Sequence, residues 1–231
     1  MEAVILAAGM GTRLGSLIPK PLTSIQNEKT IMDLQIEKLS LKKEIHNIFL
    51  VVGYKKEIIM EKFPDSLFVY NSAYARTNTA KSLLTALTKI NDNVLWMNGD
   101  VYFDEEILDL MLESSESACL VNKSECNSEE IKYNLTPEGY IKNISKSVEP
   151  SQGEALGINL IRKKDLGIFR SELKKVADTD YFEKALENLT VTGQIKLKPI
   201  DVGSLFCREI DFEQDLLAVQ KYHLAKNVRR D

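Results

Sequence analysis

An apolar run at residues 3–7 passes directly into Ala8-Gly9-Met10-Gly11-Thr12-Arg13-Leu14-Gly15 and then into Pro19-Lys20-Pro21. No other stretch restricts the fold as strongly. A short apolar strand that ends in glycines belongs at the open end of a sheet. There, backbone N–H groups can approach a phosphate or a base that a Cβ would hold away. In open α/β sheets, ligands bind beyond the carboxyl ends of such strands. A Walker A loop requires GxxxxGK[ST], which is absent. A dinucleotide fingerprint requires GxGxxG opening a helix at once. Here the third glycine falls one place late, at Gly15, and Pro19 and Pro21 would break a helix begun at Thr12. What remains is a long, irregular, cation-bearing loop, of a type that is usually functional inside compact domains.

Beyond the loop, strand-like and helix-like segments alternate. Short runs rich in Val, Ile and Phe at 48–52, 67–70, 94–97 and 118–121 read as buried strands. Amphipathic stretches at 31–43, 55–62, 80–89 and 105–113 read as helices. This rhythm predicts βαβ units and so a Rossmann-like α/β fold, with a mixed, mostly parallel sheet and helices on both faces. The rhythm changes near residue 125. Tyr133-Asn134-Leu135 and Tyr140-Ile141-Lys142 flank Thr136-Pro137-Glu138-Gly139, which suits a type I turn and predicts a small β-hairpin. A strand at 155–161, a helix at 180–189, a strand at 195–200, a helix at 212–225 and a frayed charged tail follow. The expected organisation is one domain over 1–231, with an insertion near 122–150 that helps to form an acceptor pocket.

The chain has 231 residues, enough to bury roughly 70% of its unfolded surface without disulfide or structural metal. Thirty basic against 34 acidic side chains leave a net charge of −4, which argues against a general nucleic-acid binder. No apolar run approaches the ~20 residues of a membrane span, and the first residues lack the basic start of a signal peptide. Cys119, Cys126 and Cys207 form no CxxC pair and read as reduced thiols of a cytoplasmic protein. Two histidines leave little room for a His-rich zinc site or for Ser-His-Asp and Cys-His chemistry.

Leu6-Ala7-Ala8-Gly9-x-Gly11-Thr12-Arg13-Leu14 followed by Pro19-Lys20 resembles the signature of nucleotidyltransferases that join a nucleoside triphosphate to a phosphorylated metabolite. Size and the later motifs are most similar to the bacterial phosphocholine, phosphonate and phosphoglutamine cytidylyltransferase branch. The resemblance implies that Leu6, Ala7, Ala8, Gly9, Gly11 and Thr12 wrap the base and phosphates of CTP. It gives Arg13 and Lys20 the catalytic task of neutralising the triphosphate, against the plain alternative of solvated surface charge. Trp96-Met97-Asn98-Gly99-Asp100 ends an apolar strand in a carboxylate placed to meet the nucleotide and hold Mg²⁺, although Gly-Asp is also ordinary turn chemistry. Glu209-Ile210-Asp211 matches a family motif before the last helix, which makes Asp211 the second metal ligand; the same residue would serve as a helix N-cap.

Mg²⁺ prefers oxygen donors and is commonly held by one or two carboxylates together with phosphate oxygens. The implied reaction is attack by a phosphate or phosphonate oxygen on the α-phosphorus of CTP, with release of pyrophosphate. Asn78, Thr79 and Ser82 would read the cytosine edge, or else cap the following helix. Choline calls for an aromatic cage; the single tryptophan, Trp96, reads as core, and 127–132 offers no aromatic. Lys132, Glu154, Asn159 and Asp180 suit a smaller, more hydrophilic acceptor such as phosphoglutamine or a phosphonate in surface-polysaccharide synthesis, against a reading as exposed surface. A sugar-1-phosphate nucleotidylyltransferase and a catalytically silent nucleotide-binding regulator are the alternatives. No nucleic-acid or membrane partner is expected, and a homodimer is possible.

Overall fold

The computed structural model describes residues 1–11, 18–26, 28–123 and 130–228. From the N-terminus come β1 (Glu2–Ala7), β2 (Ser24–Gln26), β3 (Lys29–Thr30), α1 (Ile31–Ser40) and β4 (Asn47–Val52). Next are α2 (Lys56–Lys62), β5 (Leu67–Tyr70), α3 (Thr79–Leu87), β6 (Val94–Asn98), β7 (Val101–Phe103), α4 (Glu106–Glu113) and β8 (Ala118–Asn122). The chain continues with β9 (Lys132–Leu135), β10 (Ile141–Ser145), β11 (Gly153–Ile161), α5 (Lys163–Lys175), α6 (Phe182–Val191), β12 (Lys198–Asp201), β13 (Cys207–Glu209) and α7 (Glu213–Val228).

The main sheet runs β10-β9-β11-β6-β1-β4-β5, with β8 beside β11 and β12 beside β8. Strands β6, β1, β4 and β5 are parallel. Strand β11 is antiparallel to β6, β8 and β9. Alternation along β1 explains the layers. Val4 and Leu6 face a core made with Leu83 of α3, Phe169 of α5 and Leu186 of α6. Ala3 and Ile5 face the opposite core, with Met32 of α1, Ile59 of α2 and Ile107 of α4. The mixed sheet with helices on both faces is therefore the architecture expected from the alternating segments. Trp96 is wholly buried and stacks on Phe169 with ring centroids 5.5 Å apart, a core role as expected.

The hairpin is present as β9 and β10, inserted between β8 and β11 at the sheet's edge. Gly139 takes φ +84° and its N–H donates to Thr136 O at 2.9 Å, which closes the turn. Three departures from the sequence reading matter. Helix α5 was not anticipated. Only Leu166, Phe169 and Leu173 of its thirteen residues are buried, spaced to form one narrow stripe. The short strands β7 and β13 were not anticipated either. The last helix does not fray at 226: the Lys226 ammonium donates to Asp104 Oδ1 at 2.7 Å and α7 continues to Val228.

Candidate active site

The carboxyl end of β1 opens onto a cavity of about 450 Å³ lined by Leu6, Ala7, Ala8, Gly9, Met10 and Gly11. Two backbone bonds fix the start of this loop. Gly99 N donates to Leu6 O at 2.9 Å, and Tyr54 N donates to Ala8 O at 3.1 Å. Gly11 takes φ +58°, and a Cβ there would lie 2.8 Å from Lys20 Cβ. Glycine is thus required both for the backbone angle and for contact with the lysine stem. Thr12 and Arg13, which the sequence assigns to this loop, lie outside the described residues.

Lys20 opens a single 3-10 turn, Lys20–Leu22, set between Pro19 and Pro21. Its ammonium donates to Asp100 Oδ2 and to Asp211 Oδ1, each at 2.6 Å. Burial pulls the Lys20 pKa down, but attraction and hydrogen bonding from the two carboxylates outweigh it and raise it above the ordinary value. Two distant aspartates therefore converge on one point.

The convergence has a traceable cause. Asp100 sits in the turn between β6 and β7, and buried Gln35 of α1 bridges that turn, donating to Asn98 O at 2.9 Å and Val101 O at 2.8 Å. Strand β13 pairs with β7, placing Glu209 opposite Val101, and Ile210 N donates to Asp100 O at 3.0 Å. Asp211 thus arrives beside Asp100. The sequence allowed Asp211 to be a helix cap. In the structure Asp215, in the first turn of α7, accepts from the amides of Asp211 and Phe212 at 3.2 and 2.9 Å and ties the segment before the helix to it.

The same pair can be tested as a metal site. Asp100 Oδ1 is buried and has no hydrogen-bond partner among the described residues, while Oδ2 and Asp211 Oδ1 already hold a cation between them. Hard, convergent carboxylate oxygens fit Mg²⁺. Another group with ligand-like spacing among the described residues, Glu2, His46 and Asp92, includes groups that hold the N-terminal amine and lies at the opposite end of β1.

On the base side, Asn78, Thr79 and Ser82 line the cavity, and each also has a structural partner. Asn78 Oδ1 accepts from Thr79 N at 2.9 Å and caps α3. Thr79 Oγ1 accepts from Phe182 N at 3.1 Å. Ser82 Oγ accepts from Asn71 Nδ2 at 3.0 Å, and Asn71 is itself buried. The capping and lining roles coexist.

None of the four acceptor residues chosen from sequence lines this cavity. Lys132 is on β9, beside Glu154 of β11. Asn159 is buried in β11 opposite Trp96. Asp180 accepts from Ala177 N at 2.8 Å and organises the loop before α6. Away from the glycine loop the cavity is lined instead by Ile131, Lys146, Tyr181, Glu183 and Glu209. Burial pushes the Glu183 carboxyl up to about 7, and its Oε2 has no partner among the described residues. Glu209 is pushed above the usual carboxylate range, first by burial and then by the charge of Asp100. A Cβ on Gly157, whose φ is +67°, would lie 2.4 Å from Glu209 Oε1, so that glycine makes room for the acid. Glu209 was visible in the Glu-Ile-Asp motif, but Glu183 carried no local signal.

The model of the MobA-like NTP transferase domain matches residues 3–156. A bifunctional protein GlmU from Methanococcus maripaludis is 29% identical over all of this chain and 56% of that protein. The chain therefore spans about half the length of the first curated relatives it matches. A CTP:phosphoglutamine cytidylyltransferase from Campylobacter jejuni is 26% identical over 94% of this chain and 98% of that protein. The solved inositol-1-phosphate CTP transferase from T. maritima shares the fold, with a TM-score of 0.77 at 20% identity, over 95% of this chain and 96% of that one.

Proposed function

The chain belongs to the MobA-like NTP transferase domain family, and from that premise we propose that it transfers CMP from CTP to a small phosphorylated or phosphonate acceptor, releasing pyrophosphate. The observation that carries this reading is the meeting of Lys20, Asp100 and Asp211 at the mouth of the glycine loop. An acceptor phosphate is already an anion at neutral pH, so attack on the α-phosphorus needs no general base. The barrier is mostly positioning and charge repulsion, which fixed cations and backbone donors lower. Lys20 would turn its ammonium to the phosphates, while the Ala8–Gly11 backbone would follow them without side-chain obstruction. Asp100 and Asp211 would hold Mg²⁺, which when bound supplies further neutralisation of phosphate charge.

Choice of CTP follows a cytidylyltransferase relative matched over 94% of this chain and 98% of its own length. The acceptor wall adds a chemical preference. Acidic Glu183 and Glu209 with the Tyr181 ring suit a small, nitrogen-bearing acceptor such as phosphoglutamine better than a neutral sugar. Transfer to a sugar 1-phosphate is the second reading, favoured by the match to GlmU over the whole of this chain. A pyrophosphate-release assay with CTP, UTP, dTTP and GTP crossed against amino-acid phosphates, phosphonates and sugar phosphates decides between them. The expected pair is CTP with an amino-acid phosphate. Turnover only with a sugar 1-phosphate selects the second reading, and no turnover with any pair overturns both.

A further inference from the structure

We propose that Lys20 is a built-in counter-ion for the two aspartates, which must leave before a metal ion can enter, so that metal binds only together with the nucleotide. This inference rests on the reading of Asp100 and Asp211 as the metal ligands of a nucleotidyl transfer. One carboxylate oxygen of each aspartate is engaged by the same ammonium at 2.6 Å. Two cations cannot share that point: the repulsion between a divalent ion and an ammonium a few ångströms away is large in a partly desolvated site. The Lys20 side chain is only 11% exposed, so water screens the contact poorly.

The lysine is built to move at its tip and not at its base. Pro19 and Pro21 flank it, Thr23 N donates to its carbonyl at 3.0 Å, and a Cβ on Gly99 would lie 2.8 Å from Pro21 Cγ. Its four-carbon stem remains a flexible arm carrying a point charge. That stem touches Gly11, the last described residue of the glycine loop. A triphosphate seated in the loop therefore presents a denser negative charge within reach of the ammonium and draws it away from the carboxylates. The two aspartates, left without their cation, then become the strongest place for a divalent ion. By linkage, the metal must tighten the nucleotide by the same factor as the nucleotide tightens the metal.

The probe is Mn²⁺, followed as free ion by electron paramagnetic resonance during titration of the whole, nucleotide-free chain. The wild type is expected to bind weakly, and Lys20→Met to bind about tenfold or more tightly. Asp100→Asn added to Lys20→Met is expected to remove that gain. A folded Lys20→Met protein that binds Mn²⁺ no better than the wild type overturns the proposal. Should Lys20→Met not fold, the wild type alone decides by its thermal midpoint. Mn²⁺ without nucleotide should leave the midpoint where it is, and Mn²⁺ added to CTP should raise it above CTP alone. A midpoint raised as far by Mn²⁺ alone overturns the proposal. Normal pyrophosphate release combined with an unimproved Lys20→Met sinks only the counter-ion role. Absence of turnover in the wild type, together with no Mn²⁺ uptake in the presence of CTP, sinks the reading beneath it.

Discussion

The two walls of the cavity are made in different ways. The nucleotide wall comes from short contiguous pieces: the end of β1, the start of α3 and the turn after β6. It consists of backbone, small side chains and hydroxyls held by main-chain partners, such as Leu6 O bonded from Gly99 N. The opposite wall takes side chains from four separate places, at residues 131, 146, 181–183 and 209, and its polar members are large and ionisable or aromatic. A wall of backbone recognises what all nucleoside triphosphates share. A wall of scattered side chains can be changed one residue at a time without disturbing the sheet. On the proposed function, the first wall would serve the chemistry common to the reaction and the second the choice of acceptor.

Three measurements can break or sharpen this division. The largest effect should come from Asp100→Asn, which lies where the walls meet. Turnover should fall about 100-fold or more. Lys20 keeps Asp211 as its partner in this variant, so the melting midpoint should move by no more than about 4 °C. A variant with near-normal turnover would remove the carboxylate from the chemistry. Next, Gly157→Ala places a methyl group against Glu209 and should raise the acceptor KM about tenfold while the nucleotide KM stays nearly unchanged. Equal changes in both would mean that the walls are not independent.

The smallest effect is in stability. Glu183 is pushed up to about 7 in the folded chain, from an ordinary value of 4.5. Between those values the unfolded chain binds fewer protons, so folding loses stability as pH rises through the window, and the full loss is present above about 7. Glu183→Gln removes the titration. Its melting midpoint relative to wild type should therefore rise by about 2–4 °C between pH 5 and pH 8. A difference that is constant with pH would place the proton elsewhere.

The same contrast governs what could be read from sequence. Strand β1 and its glycines lie together in the chain, and apolar periodicity with Gly chemistry is a local signal. The parallel core strands are similarly continuous apolar runs. Strands β7 and β13 have three residues each, too few to show a period, yet their pairing is what brings Asp211 to Asp100. Lys132, Glu154, Asn159 and Asp180 were chosen as polar residues in the right part of the chain, and nothing local reveals which way a strand side chain points. Asn159 turns into the core. Glu183 sits in the first turn of α6, where an acid is ordinary helix chemistry, so its burial in the cavity had no sequence mark. Helix α5 was hidden by nine polar or small residues around its narrow apolar stripe.

Lys20 and Asp211 are 191 positions apart, and Asp104, which follows β7 and accepts from Phe206 N just ahead of β13, is held by Tyr222 and Lys226 of α7 at 2.7 Å each. During synthesis the glycine loop, Lys20 and Asp100 emerge within the first hundred residues, while the second aspartate follows more than a hundred later. A growing polypeptide thus exposes the glycine loop long before it has both acids that the proposed chemistry would use. Closing so long a loop carries an entropic cost that grows with the length of chain enclosed. Reactivity is withheld until the architecture around it is finished.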